Sequence, residues 1–268
     1  MGMRIALWQP GEHPGPQGNL ALLERTAAAA AGAGAALLLC PECWLCGYNI
    51  TADAIAELAE AADGPSARHI AVIAEKQGIA IAYGYAERDA EQGCVYNSVQ
   101  VIGPQGQVLA HYRKTHLFGP AERAAYRPGP RLEPPFRFGG FTIGLLICYD
   151  VEFPEAVRAL ALTGADLLLV PTAQPLEYAI VTQCILPARA VESQLGIAYA
   201  NHAGTENGLR YLGGSCLIGT DGRALASAGT GEALLIGTVS AGARLATARQ
   251  FPYLEDRRPE LYSEQGAA

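Results

Sequence analysis

Several stretches of this chain are apolar almost without interruption and then stop at a polar or charged residue. They are MRIALWQ (3–9), AALLLCPE (35–42), FTIGLLICYD (141–150) and ADLLLVPTA (165–173). A strand with one wet face alternates apolar and polar side chains; a continuous run needs cover on both faces. The runs therefore predict strands of buried sheets, and the segments between them supply the cover. NLALLERTAAAAAGAG reads as a helix from Asn19, an N-cap residue, with an alanine face for close packing. TADAIAELAEAADG and PSARHIAVIAEKQG read as helices ending at Gly64 and Gly78, and FPEAVRALALTG as another. YAIVTQCILPARAVESQ is helical, with Pro187 bending or dividing it. Hairpins are expected at GPQG (103–106) and TDGR (220–223). The reading is a single α/β domain over residues 1–268 with a mixed sheet; two apolar sheets packed together, with helices outside, would account for so many apolar strands.

Composition narrows the function. Half of the residues are hydrophobic and 17% are charged, enough for a large core, and the net charge of −7 argues against nucleic acid or an anionic membrane as partner. No apolar stretch is long enough to span a bilayer. The start, MGMRIALWQP, lacks the pattern of a signal peptide, and the seven cysteines are an odd number. Together these lead us to expect reduced thiols and a cytoplasmic protein.

Three of the cysteines, Cys40, Cys43 and Cys46, stand three residues apart in CPECWLCGY. The spacing resembles the start of an iron–sulfur motif, but no fourth cysteine followed by proline completes it, and no second ligand pair completes a zinc site. The expectation is a packing role, with no metal and no cofactor. Cys148 is different. It sits where an apolar strand gives way to a helix-starting segment, and strand ends of α/β folds are where sites collect. A nearby helix start and free backbone N–H groups would favour a thiolate and an oxyanion there. A cysteine nucleophile needs a proton acceptor. None of the histidines (His13, His69, His111, His116, His202) forms a recognisable Cys-His motif, and they read as surface or supporting residues. Glu42, ending the run LLLCP, is the better base, since partial burial would raise its pKa towards a working range. Lys114, one of only two lysines, ends another strand in YRKTHLFG and could hold positive charge against an oxyanion.

Glu42, Lys114 and Cys148 at successive strand ends resemble the nitrilase superfamily of carbon–nitrogen hydrolases. The matching stretches are CPECWLCGY, YRKTHLFG and GLLICYDVEFPE, supported by GPAERAAYRPG, PARAVESQ, NHAG and GGSCLIGTDGRALA. Within the superfamily, YGYAER, YNSVQ and FPYLEDRRPEL are most similar to aliphatic amidases of the 5-aminopentanamidase type. The resemblance implies a four-layer αββα sandwich and a homodimer or higher homo-oligomer, with a tail of about 245–268 in dimer contact. It also implies Glu42 as base, Lys114 as electrostatic stabiliser, Cys148 as nucleophile and Glu122 as a second glutamate that helps position substrate and the other three residues. The backbone N–H of Tyr149 is a candidate oxyanion donor. The partner is then a small-molecule amide, cleaved to acid and ammonia through a thioester. An N-carbamoyl amine or amino acid, an ω-amide or a nitrile would suit the same three residues, while a cysteine-cluster redox protein is the reading from another class. If the substrate carries an amine, Asp150, Glu152 and Glu206 are the candidate carboxylates.

Overall fold

The apolar runs become central strands, and the computed structural model, which describes residues 2–262, arranges them in two six-stranded sheets. The first half of the chain comprises β1 (Gly2–Gln9), α1 (Pro16–Gly32), β2 (Leu37–Leu39), α2 (Ala52–Leu58), α3 (Pro65–Gln77), β3 (Ala80–Arg88), β4 (Val95–Ile102) and β5 (Val108–Arg113). It continues through α4 (Gly119–Ala125), β6 (Phe136–Phe138), β7 (Phe141–Leu145), α5 (Pro154–Leu162), β8 (Leu167–Pro171), α6 (Leu186–Ser193) and β9 (Gly196–Ala200). The last elements are β10 (Thr205–Glu206), β11 (Leu209–Arg210), β12 (Cys216–Ile218), β13 (Ala224–Ser227), β14 (Ala233–Ser240) and α7 (Ala243–Gln250).

The strand orders are β14-β1-β2-β3-β4-β5 and β13-β12-β9-β8-β7-β6. In each sheet three neighbouring strands are parallel, β1-β2-β3 and β7-β8-β9, and the flanking pairs are antiparallel. The parallel strands carry the apolar runs because they are covered on both sides. Ile5, Leu7, Leu37 and Leu39 pack in one cluster with Ile143, Leu145, Leu167 and Leu169 of the other sheet. The alternate residues Ala6, Leu38 and Ile81 pack instead against Leu23, Ala27 and Ala30 of α1 and Ile70 and Ile73 of α3. Val157 and Leu160 of α5 and Ala190 of α6 join the second sheet. The result is the expected αββα sandwich. Among the described residues, no helix is long and apolar enough to cross a membrane.

Several boundaries differ from the sequence reading. α1 starts at Pro16, not Asn19, because proline suits the first helical turn, where its missing N–H costs nothing. Asn19 is buried instead and donates to the carbonyls of Trp44 (2.8 Å) and Leu45 (3.1 Å), tying α1 to the loop that carries Glu42. The helix expected to run to Gly64 stops at Leu58. Glu60 leaves it to bridge Glu87, and its carboxylate caps α3 by accepting from the Ser66 N–H (2.8 Å). Pro187 does not break its helix: a π-helical turn over Val181–Ile185 runs on without interruption into α6, whose first turn holds Pro187. α7 occupies part of the expected contact tail of about 245–268, and the end of that tail lies outside the described residues.

Candidate active site

Three strand ends meet at one edge of the sandwich. Beyond β2, the Cys40 N–H continues the ladder to the Ala82 carbonyl (2.8 Å), and the Glu42 N–H reaches the Thr172 carbonyl beyond β8 (3.4 Å). Cys43 then turns the chain at φ 47°. β3 crosses this bend at Gly84. A Cβ on Gly84 would lie 2.5 Å from the Pro41 oxygen, 2.6 Å from the Cys43 nitrogen and 2.8 Å from the Glu42 Cα, so only glycine lets the bend pass. Behind it, buried His202 donates from Nε2 to the Glu42 carbonyl (2.7 Å). Burial, aided by the neighbouring His13, lowers the His202 pKa to about 3 and keeps the ring neutral.

Lys114 follows β5 and is anchored by its backbone: its N–H donates to the Asn97 carbonyl (2.8 Å) and its carbonyl accepts from Gly129 (2.7 Å). Its side chain is wholly buried, and Nζ donates to Oε1 of Glu42 (2.6 Å) and Oε1 of Glu122 (2.7 Å). Glu122, on α4, also accepts from the Tyr48 hydroxyl (2.8 Å) and the Phe118 N–H (2.9 Å). Asn97 Nδ2 adds a second bond to Glu42 Oε1 (2.8 Å). Oε2 of Glu42 is buried without a hydrogen-bond partner among the described residues. The carboxylate is thus clamped through one oxygen, and the other is available.

Cys148 follows β7 at φ 45°, a left-handed conformation that costs a non-glycine residue on the order of 1–3 kcal/mol. It opens a single 3₁₀ turn, Cys148–Glu152. Asp150 holds that turn in place. It accepts from the Ile147 N–H (3.1 Å), the Tyr112 hydroxyl (2.8 Å), the Thr115 hydroxyl (2.9 Å) and the His116 N–H (2.9 Å), and pairs with His116 Nδ1 (2.8 Å).

The cluster holds two carboxylates, one ammonium and one thiol away from water. Burial raises the Glu42 pKa and Glu122 adds to the rise, against Lys114 and Asn97. For Lys114, burial alone would lower the pKa, but Glu42 and Glu122 outweigh it and hold the ammonium charged. Burial and the Glu42 charge push the Cys148 thiol well up, opposed by Lys114, the Thr172 hydroxyl and the Ala173 N–H. A thiol held so far up would need a neighbouring base to take its proton before it could act as a nucleophile. A narrow cleft with about 10 Å³ of free volume reaches Cys148, walled by Tyr48, Phe118, Tyr149 and Tyr178 with Glu152 and Gln174 among them.

The structure thus brings Glu42, Lys114, Glu122 and Cys148 together and sets Tyr149 on the cleft wall. It separates Cys40 from Cys43 and Cys46, which stay together. Cys40 packs with α1 and α3, whereas Cys43 and Cys46 pack with Ile55 and Tyr126, and Cys43 Sγ lies 3.3 Å from the Tyr126 hydroxyl. Among the described residues, no group of three or more His, Cys, Asp or Glu side chains has metal-holding geometry. Asn97, Tyr48 and Thr172 were not singled out from the sequence, and His202, read there as a surface or supporting residue, is buried behind Glu42. The only signals were an asparagine inside an apolar strand, VYNSVQV, and the motif NHAG.

Residues 4–249 match the family model for carbon-nitrogen hydrolase. A "hydrolase in pqqF 5′region" from Pseudomonas protegens is 47% identical, over 98% of this chain and 91% of that protein. An "(R)-stereoselective amidase" from a Pseudomonas species is 36% identical, over 85% and 82%. A mutant amidase from Nesterenkonia sp. AN1, solved with covalent addition of the acetamide moiety of fluoroacetamide at its active site cysteine, superposes with TM-score 0.84 at 38% identity. That superposition covers 98% of this chain and 96% of the other. With a family model matched over most of its length, the chain belongs to the carbon–nitrogen hydrolases of the nitrilase superfamily and is a hydrolase of carbon–nitrogen bonds.

Proposed function

We propose that the protein is a thiol amidase that converts a small aliphatic carboxamide to its acid and ammonia through a thioester on Cys148. One observation carries this reading: a buried Glu42 clamped through Oε1, with Oε2 unpaired, shares a cluster with a thiol too basic to ionise alone. Glu42 takes the Cys148 proton as sulfur attacks the amide carbon. The carbonyl electrons move to oxygen, where the Lys114 ammonium and the Tyr149 N–H, next in the chain to Cys148, meet the charge. A donor so aimed is worth about 2.7–4 kcal/mol. Protonated Glu42 gives its proton to the leaving nitrogen, ammonia departs and the acyl group stays on sulfur. Glu42 then deprotonates a water that attacks the thioester, and the proton returns to sulfur as the acid leaves. Glu122 holds Lys114 in position.

An amide, rather than a nitrile or N-carbamoyl compound, is favoured by the relatives that are themselves amidases, the (R)-stereoselective amidase and the Nesterenkonia amidase. The reading includes a homodimer, which the exposed Leu245, Tyr253, Leu261 and Tyr262 of the C-terminal segment support. Sedimentation should give twice the chain mass, and a monomer at micromolar concentration would remove that part. The activity is tested by ammonia release from a panel of aliphatic amides, with wild type and Cys148→Ala side by side. Release by wild type alone is expected. Equal release by both would overturn the assignment.

A further inference from the structure

The loop that carries Glu42 is docked at both ends on one segment, residues 202–211. At its start, wholly buried His202 donates from Nε2 to the Glu42 carbonyl (2.7 Å). At its end, the buried Glu206 carboxylate accepts from the Tyr48 N–H (3.2 Å), the Asn49 N–H (2.8 Å) and the Tyr211 hydroxyl. Gly47 makes room for that contact, since a Cβ there would lie 2.6 Å from Glu206 Oε1. The His202 ring packs against Tyr211 (5.0 Å between centroids) and against His13 (4.7 Å), so the two anchors form one unit.

The two bonds to the Glu42 main chain are unequal. Its N–H reaches the Thr172 carbonyl at 3.4 Å, a long bond, while its carbonyl receives His202 at 2.7 Å. His202 therefore does most to fix the orientation of this stretch of main chain, and with it the direction in which the Glu42 side chain leaves. A carbonyl only accepts, so Nε2 carries the proton of the neutral ring and Nδ1 keeps a lone pair. That lone pair is buried without a partner among the described residues. An orphaned acceptor costs stability that an apolar side chain of similar size would not, so packing alone does not account for an imidazole here. Its one hydrogen bond, to Glu42, does. A neutral donor also suits the place, because a cation would pull the Glu42 carboxyl down as Lys114 does. We propose that His202 is a positioning residue, which holds the Glu42 main chain so that the carboxylate is stationed to take the Cys148 proton. This rests on the reading of Glu42 as the base and extends it to the segment that carries the base.

The test compares His202→Leu, which fills the site without a donor, with His202→Gln, which returns an N–H donor to it. Ammonia release from the aliphatic amide panel gives kcat and KM, and denaturant melts give stability. Alkylation of Cys148 by iodoacetamide, read by peptide mass spectrometry, reports on the sulfur without turnover, and exposed Cys184 of the same chain serves as internal reference. His202→Leu should lower kcat about 10–100-fold at nearly unchanged KM, the scale of a misplaced catalytic group. It should also slow alkylation of Cys148 relative to Cys184, and His202→Gln should recover most of both losses. A histidine that only supports the fold predicts something else: activity would follow the loss of stability, and alkylation of the folded protein would not change. Wild-type kcat in His202→Leu, or equal losses in His202→Leu and His202→Gln, overturns the role. Should His202→Leu fail to fold, His202→Met removes the donor with a more adaptable side chain and is read in the same way. Failure of the amidase reading looks different: wild type would release no ammonia from any amide, while the Cys148-to-Cys184 alkylation ratio in the three proteins still decides whether His202 acts through the base.

Discussion

Arg113 and Lys114 are neighbours in the chain, yet they serve two carboxylate clusters of opposite character. Extended backbone turns successive side chains to opposite sides. Arg113 meets Glu87 and Asp89, and Lys114 meets Glu42 and Glu122. Around Glu87 both carboxylate oxygens are satisfied. Arg113 binds it with two nitrogens, Ser98 donates to it (2.5 Å) and His111 lies 2.8 Å away. Burial alone would raise its pKa, but His111, Arg113 and Ser98 outweigh burial and bring it to about 2. Around Glu42 one cation is divided between two buried acids and one oxygen has no partner, so burial wins and the pKa rises. An ion pair by itself therefore does not define a carboxylate's role. Full satisfaction makes an anchor; a shared cation and a free oxygen suit the base proposed for Glu42.

Substitution of each acid tests this contrast most severely. Glu42→Gln should lower kcat by about 10²–10⁴-fold, the usual worth of a general base, with the fold retained. Glu87→Gln should leave kcat within a few-fold and cost stability instead. Steady-state rates with parallel denaturant melts separate the two, and equal losses of kcat would erase the distinction.

Acid titration sharpens it, because the two pKa shifts have opposite signs. Glu87, depressed in the folded state, contributes stability that is complete above its ordinary 4.5 and is lost as pH falls towards 2. That loss is on the order of 3 kcal/mol, and Glu87→Gln should not show it. Glu42 is raised, so the acid limb of kcat/KM should lie above 4.5. A limb at or below that value would contradict a buried base.

Smaller effects follow from the supports. Gly84→Ala would force the Glu42 bend away from β3, at about 1–3 kcal/mol of overpacking and with a loss of kcat larger than the loss of stability explains. Asn97→Ala removes one donor to Glu42 Oε1, so the acid limb should move further up with a modest fall in kcat; an unmoved limb would take Asn97 out of the site.

Much of this was legible in the sequence because the site lies at strand ends. An apolar run that stops at Glu42 or Cys148 marks both the end of a buried strand and the residue it presents. What remained hidden depends on partners distant in the chain. Glu60 looks like one more helical residue until it bridges Glu87 and caps α3. Asn19 looks like a cap until it reaches Trp44 and Leu45. Asp150, Glu152 and Glu206 were indistinguishable as acids, since their difference lies in what Tyr112, His116, Tyr48 and Tyr211 donate, and only folding brings those donors near. That Glu42, Lys114 and Glu122 share one site was implied by the resemblance, whereas the pairing of both acids with Lys114 and the unpaired Oε2 of Glu42 required coordinates.

The central claim is an acyl group carried on Cys148, and partitioning tests it most directly. An amide and an ester with the same acyl group would each be turned over in the presence of hydroxylamine, and hydroxamate and acid measured. A common thioester predicts one hydroxamate-to-acid ratio for both substrates, with neither product formed by Cys148→Ala. A ratio that changes with the leaving group, or hydrolysis that persists in Cys148→Ala, would contradict it.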